Sequence, residues 1–280
     1  MLENTFCHIQ GIGPRTEKRL WEENICNWHS FLCWSKPSFS AATFAAASRT
    51  ITASIKALAA GEAGWFYNCL KAGEHWRMFR QFKHKTAYID IETTGLDSGM
   101  NIITTIALYD GKTIFTYVNG ENLERFVDDI SAYDLLVTYN GKSFDVPFIE
   151  SFFDVRLPQA HIDLRYVLNS LGFKGGLKRV EKRFGISRNE LEGIDGYFAV
   201  LLWMEYETRA DPRARETLIA YNVEDVVNLE LLMHYAYNLK IKDTPFAQDL
   251  LMAIPPRPEV PYAPDMELVD TLRRRFFMGG

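Results

Sequence analysis

The chain has 280 residues, 47% hydrophobic and 24% charged, with a formal net charge of -5. These values exclude wholesale disorder and allow a full hydrophobic core, either in one large domain or in a medium domain with an appendage. The acidic balance excludes a general electrostatic coat for nucleic acid, so any such contact needs a local basic face or metal ions. No stretch approaches the roughly 18 uninterrupted apolar residues of a membrane span, and residues 1–4 lack the basic flank and apolar run of a signal peptide. A soluble, cytoplasmic protein with no membrane contact is expected. All four cysteines, Cys7, Cys26, Cys33 and Cys69, lie in the first quarter without a C-x-x-C pair and read as free thiols in a reducing compartment. Cys26, His29 and Cys33, with Cys7 or His8 nearby, could hold zinc, at a spacing that fits no standard zinc pattern.

Residues 5–32 contain Gly11-Ile12-Gly13-Pro14, a tight turn with Pro14 placed for the first turn of the next helix, where Leu20, Trp21 and Ile25 recur at helical spacing. This stretch resembles a helix-hairpin-helix motif. The resemblance implies that the backbone around Gly11 and Gly13 meets a nucleic-acid phosphate, with Arg15, Lys18 and Arg19 adding charge; the alternative is a plain helical hairpin. Residues 38–82 are rich in Ala and helix formers and read as two or three short helices, with Trp65, Phe66, Tyr67, Trp76 and Phe79 as packing aromatics. Around His84-Lys85 the pattern turns from helical to extended, which sets a boundary. The expected organisation is a helical region over residues 1–82, an α/β domain over 83–240 and a tail over 241–280.

Residues 87–96, Ala-Tyr-Ile-Asp-Ile-Glu-Thr-Thr-Gly-Leu, read as a buried strand ending in a turn, yet carry two carboxylates. Residues two apart on a strand share a face, so Asp90 and Glu92 project together and would repel each other without a cation between them. Hard oxygen ligands of this kind suit Mg2+ or Mn2+; the bland alternative is an exposed edge strand with two solvated acids. Residues 101–109 and 113–118 are β-branched runs joined by an Asp110-Gly111 hairpin signal. Residues 121–130 have a helical period and 134–139 return to strand. Three strands in meander followed by alternating helix and strand predict an α/β fold with a mixed sheet.

Asn140-Gly141 breaks that fourth strand, and Asp145 stands at the start of a helix that Pro147 can open, where an Asp alone reads as an N-cap. Residues 159–171 read as a short strand passing into a helix, with Asp163 as its cap. A glycine-bounded helix over residues 175–185 carries Lys178, Arg179, Lys182 and Arg183, which read either as a solvated face or as a phosphate-tracking patch. Residues 197–204 are apolar all round and should form a buried helix with Trp203 in the core. A long helix over residues 212–239 puts Tyr221 and Asp225 four apart on one face, beside the apolar side that Val226, Leu229 and Leu232 define. Residues 254–261, rich in proline, read as extended chain across the surface, and Arg273, Arg274 and Arg275 as a nucleic-acid contact or a charged terminus.

Asp-x-Glu on the first strand, Asn-x-x-x-Phe-Asp after the fourth and Tyr-x-x-x-Asp on a late helix occur in that order at domain-scale spacing. The ordered set resembles the DEDD (DnaQ-like) superfamily of 3′–5′ exonucleases in its tyrosine subclass, similar to family-B polymerase proofreading domains and to YprB-like standalone exonucleases. The resemblance covers about residues 86–239 and implies an RNase H-like mixed five-stranded sheet flanked by helices, here with a small N-terminal all-helical region. It further implies that Asp90, Glu92, Asp145 and Asp225 hold two Mg2+ or Mn2+ ions, that Tyr221 orients or helps deprotonate the attacking water, and that Thr93, Thr94, Gly95 and Leu96 line the terminal nucleotide. Asn140 and Lys178 would meet the strand. The implied activity is hydrolysis of DNA from a 3′ end to nucleoside 5′-monophosphates; exonuclease action on RNA, or a binding adaptor using the fold as a platform, are the alternatives. A protein partner for substrate delivery fits this reading, and the sequence leaves the oligomeric state open.

Overall fold

The computed structural model describes residues 1–188, 191 and 195–277. Its frame is a five-stranded sheet made of β1 (Thr86–Thr93), β2 (Ile103–Tyr109), β3 (Ile114–Val118), β4 (Leu135–Thr138) and β5 (Ala160–Asp163), in the order β3-β2-β1-β4-β5. β2 is antiparallel to both β1 and β3, while β4 and β5 run parallel to β1. The mixed sheet expected from the strand pattern is present, with the first strand at its centre.

The helices before the sheet are α1 (Pro14–Glu22), α2 (Trp28–Leu32), α3 (Ala41–Ala59), α4 (Ala63–Cys69) and α5 (Phe79–Phe82), with a 3-10 segment over Ala72–Met78. Those that follow are α6 (Arg125–Ile130), α7 (Asp145–Phe153), α8 (Leu164–Ser170), α9 (Leu177–Arg183), α10 (Gly196–Arg209), α11 (Pro212–Lys242), α12 (Ala247–Leu250) and α13 (Met266–Phe277). The first helical region holds one long helix where short ones were expected. α3 starts on a Ser40 cap and runs for 19 residues, because its alanines favour helix and the buried stripe of Ala47, Ile51, Ser54 and Ala57 carries it through several Ser and Thr of weaker propensity. α10 is apolar in sequence yet leaves Tyr197 and Met204 exposed, and Trp203 is buried.

Strand alternation sorts the sheet into two faces. Ala87, Ile89 and Ile91 face a core with Phe126, Ile130, Phe148 and Ile149 from α6 and α7. Tyr88, Leu135, Val137 and Ile162 face the other core, which continues without a break from Met1 to Leu272 and includes α11. Asp211 caps α11 and Pro212 occupies its first turn; the helix then runs for 31 residues, its middle buried nearly all round. Asp90 and Glu92 have the parity of Tyr88, so they point at α11.

Candidate active site

The carboxylates are exposed to chemistry because β4 is short. β4 pairs with β1 only from Thr86 to Tyr88, and the chain leaves the sheet at Asn140, whose φ of +71° is a left-handed turn that Asn tolerates. Asp90 and Glu92 therefore run past the end of their neighbour. Asp145 fills the space left: its Oδ1 accepts the Ile91 N–H at 3.3 Å, a ladder donor beyond the end of β4. This corrects the N-cap reading of Asp145. The cap position of α7 is Phe144, which makes no capping bond, and Asp145 is the first helical residue with its carboxylate turned to the strand.

Asp90, Glu92 and Asp225 each offer a ligand atom, and these atoms lie within 4.8 Å of one another. Among the described residues no other group of three or more His, Cys, Asp or Glu side chains does this, and Cys33 meets only His29, at 3.7 Å. Glu92 is 9% exposed, Asp225 6% and Asp145 4%. Burial, reinforced by neighbouring Asp225, Asp145 and Glu92, pushes the Asp90 carboxyl well above the ordinary range. Glu92 is raised for the same first cause, then by Asp225. Asp145 is pushed up to about 7, mainly by burial. A hard, buried, mutually repelling oxygen set fits a divalent cation of the Mg2+ or Mn2+ class.

Asn222, adjacent to Tyr221, was not singled out by the sequence. Its Nδ2 donates to Asp90 Oδ2 at 2.8 Å and to the Asp90 carbonyl at 3.2 Å, while its Oδ1 accepts from Thr105 Oγ1 at 3.1 Å. The amide thus anchors the central strand to α11. Arg188, also missed, pairs with Asp225. Neither partner has a local signal, because each contact joins elements far apart in sequence.

A cleft of about 900 Å³ opens over these groups, lined by Asp90, Tyr221 and Asp225 and by the basic side chains Arg165, Lys174, Lys178 and Arg179. Lys178 Nζ lies 4.5 Å from the centre of the Tyr221 ring. Burial, then the carboxylates of Asp225 and Glu92, keep the Tyr221 hydroxyl well above the usual range. The basic run of α9 divides: Lys178 and Arg179 line the cleft, while Arg183 lies over the Phe173 ring and donates to the Gly172 carbonyl at 2.9 Å. Asn140 Oδ1 accepts from Ser143 Oγ at 2.8 Å and from Arg165. Asp163 caps α8 as expected and also takes the N–H groups of Asn140 at 2.8 Å and Lys142 at 3.1 Å, which holds the loop that leads to Asp145.

After β1, Thr93 Oγ1 donates to the Gly95 carbonyl at 2.7 Å and Thr94 Oγ1 to Asn101 Oδ1 at 3.2 Å. A Cβ on Gly95 would sit 2.5 Å from that Asn101 oxygen, so the glycine here makes room for Asn101. Leu96 projects into solvent, 86% exposed. At Gly141 a Cβ would lie 2.4 to 2.7 Å from Oγ1, Cβ and Cγ2 of Thr138, atoms too close to the backbone to swing away. Gly141→Ala should therefore cost about 1–3 kcal/mol, as overpacking does, and displace the loop; an unchanged urea midpoint would refute this.

The N-terminal candidates lie elsewhere. Gly11 has φ +85°, Gly13 caps α1 without a side-chain bond, and Arg15 and Lys18 are exposed. The element before this turn is a three-residue 3-10 segment, Leu2–Asn4, and not a full helix. Glu17 pins the turn, accepting from Thr5 Oγ1 at 2.6 Å and the Phe6 N–H at 2.7 Å and pairing with Arg77 at 2.8 Å. The C-terminal arginines are engaged within the chain: Arg275 meets Glu205 at 2.7 Å and Arg273 meets Asp270 at 3.7 Å. No described helix is long and apolar enough to cross a membrane.

YprB of Bacillus subtilis, itself described as an uncharacterized protein, is 28% identical, with 52% of this chain and 40% of YprB covered. The chain thus spans well under half of that relative. The family B DNA polymerase of the hyperthermophilic archaeon Pyrobaculum calidifontis matches over 60% of this chain and 27% of its own, at 20% identity and a TM-score of 0.40. The RNase_H_2 family model of the RNase_H superfamily matches residues 87–237, more than half of the 280 residues, and the chain belongs to the RNase H superfamily.

Proposed function

We propose that the protein is a metal-dependent 3′–5′ exonuclease that hydrolyses DNA. The observation that carries this reading is the buried Asp90, Glu92 and Asp225 cluster at the mouth of a cleft with basic walls. Three converging acids repel a phosphate by themselves, so a polyanion can be handled there only with cations bound. Asp90, Glu92 and Asp225, with Asp145 behind them, would hold two divalent ions, which supply a nucleophile near neutral pH and offset charge on the leaving oxygen. Tyr221, on the wall of the cleft beside Asp225, orients the attacking water or helps to deprotonate it. Lys178, Arg165 and Arg179 meet phosphates of the entering strand, and Asn140 positions it. Thr93 to Leu96 abut the terminal nucleotide, with the exposed Leu96 packing against its base. Residues 83–240 form the catalytic unit, residues 1–82 add the Gly11 to Lys18 phosphate contact, and 241–280 form a tail.

The test uses 5′-labelled single-stranded DNA, duplex DNA and RNA of one sequence, with Mg2+ or Mn2+ and with a chelator. A ladder that shortens from the 3′ end, is fastest on DNA and stops on chelation is the expected result. Faster shortening of RNA would reassign the substrate, and intact polymers with both metals would overturn the reading.

The N-terminal contact gives a separate expectation. The double variant Arg15→Ala with Lys18→Ala should weaken single-strand binding and flatten its salt dependence by about 1.4 in log-log slope, the release of two counterions. An unchanged slope would remove this turn from the binding surface.

A further inference from the structure

Asp225 does not face the other carboxylates alone. Arg188, in the segment after α9, places Nη2 on Asp225 Oδ1 and grips Glu181 with two arms, Nε at 2.6 Å and Nη2 at 2.8 Å. Glu181 Oε1 also accepts from Asn228 Nδ2 at 3.0 Å, and the same amide donates to Glu224 Oε1 at 3.1 Å. Glu224 Oε2 is in turn paired with Nη2 of Arg257, whose Nη1 donates to the Ser187 carbonyl at 3.2 Å. An unbroken polar path therefore runs from a candidate metal ligand to the Pro-rich C-terminal segment. Its inner members, Arg188, Glu181, Asn228 and Glu224, are all buried.

Two features go beyond what packing requires. Arg188 is buried with Nη1 lacking an acceptor among the described residues. That is a costly arrangement, because buried ion networks contribute little stability that apolar side chains could not supply. Secondly, Arg257 grips Ser187, the residue before Arg188, and Glu224, the residue before Asp225. A single guanidinium thus spans the loop and the helix at the point where Arg188 meets Asp225.

We propose that Arg188 is a positioning residue for Asp225 and that Arg257 sets its place, which makes the C-terminal segment part of the metal centre. This rests on the metal-dependent reading above. A carboxylate has two oxygens; Arg188 holds Oδ1 and fixes the plane of the group, leaving Oδ2 for an ion, as outer partners do for metal-ligating side chains. Simple charge predicts the opposite effect of losing Arg257, since removing a nearby cation favours binding of another cation. The sign of the change distinguishes positioning from charge.

Mn2+ binding to the full chain, measured by calorimetry without substrate, tests this. Arg257→Ala should bind Mn2+ about tenfold more weakly than the native chain, at the low end of the range for outer-partner changes, with its melting midpoint still cooperative. Arg257→Lys keeps the charge but cannot reach both oxygens, and should bind more weakly by a smaller factor. Glu259→Ala, on the same segment, should bind as the native chain does. Native or tighter affinity in a folded Arg257→Ala would overturn the proposal. Should that variant not melt cooperatively, native affinity in Arg257→Lys overturns it instead. A native chain that binds no Mn2+ would overturn the metal-dependent reading itself, whereas native binding with unaltered Arg257 variants removes only the positioning role.

Discussion

Asp90→Asn should abolish metal-dependent cleavage and raise the melting midpoint of the metal-free protein. The loss of activity follows from removing a ligand at the centre of the acidic cluster, where cation-assisted charge stabilisation is worth several kcal/mol, or at least about a thousandfold in rate. The gain in stability follows from electrostatics. Asp90 is held well above its ordinary pKa by burial and then by the Asp225, Asp145 and Glu92 carboxylates, so its charged form opposes folding. A carboxyl whose pKa is raised on folding contributes stability below its unfolded pKa and loses it as pH rises through the folded value. The advantage of the amide therefore grows with pH. The contact that matters survives, because the amide oxygen can still accept from Asn222 Nδ2, which lies 2.8 Å from Asp90 Oδ2. For a chain of this size each kcal/mol relieved should appear as about 2–4 °C in melting midpoint. Melting scans of both proteins with chelator at pH 6 and pH 8 check this; a variant no more stable than the native chain at pH 8 would contradict the burial of charge at this site.

Acid should unfold the protein between about pH 6.5, where an unfolded histidine titrates, and pH 4. His8, His75 and His234 are each lowered to about 4, and His161 to about 3, by burial first and by neighbouring cations second. His75 has its ring committed as a neutral group: Nε2 faces the carbonyls of Tyr67 and Leu70 at 3.1 and 3.0 Å, and Nδ1 meets Lys142 Nζ at 3.3 Å. Protonation would set two cations against each other. The sign is opposite to that of the raised carboxyls: a lowered histidine stabilises the fold above its unfolded pKa and loses this as pH falls through the folded value. At about 1.4 kcal/mol per pKa unit, four such groups together are comparable with the 5–15 kcal/mol that a domain commands, and the raised carboxyls of Asp90, Glu92 and Asp145, whose sign is opposite, offset part of the loss. Urea midpoints between pH 7 and pH 4 should fall steeply, and His75→Gln should lessen the fall. A midpoint constant down to pH 4.5 would sink the prediction.

Much of this was legible in the sequence, for reasons that can be named. Asp90 and Glu92 could be paired because strand periodicity is local, and Tyr221 with Asp225 because helical periodicity is local. The hairpin at Asp110 was equally local: its Oδ1 accepts the Lys112 and Thr113 N–H groups at 2.8 and 2.7 Å. Asp145 misled because an acid at a helix start has a ready local role, and what draws it away is the Ile91 N–H, contributed by a strand more than fifty residues earlier. Asn222 and Arg188 carry no pattern of their own. Gly95 was legible as a glycine that permits close approach, but the group that approaches is Asn101. α3 exceeded its expected length because a buried stripe, which no local window contains, carries its Ala-rich run through the Ser and Thr residues that interrupt it.

The position of Asp225 in the middle of α11 has a consequence for how the protein is made. Chains emerge from the ribosome from the N-terminus onward, and domains fold as their segments appear. The strands and the carboxylates at 90, 92 and 145 are made before α11, but the acidic cluster closes only when residue 225 has arrived and the helix carrying it has docked on β1 and β2. The segment that holds Arg257 against Ser187 and Glu224 is made later still. A chain interrupted between β5 and residue 225 therefore holds every strand but lacks the third member of the acidic cluster. On the metal-dependent reading proposed above, metal binding at the cluster is thereby tied to the docking of α11.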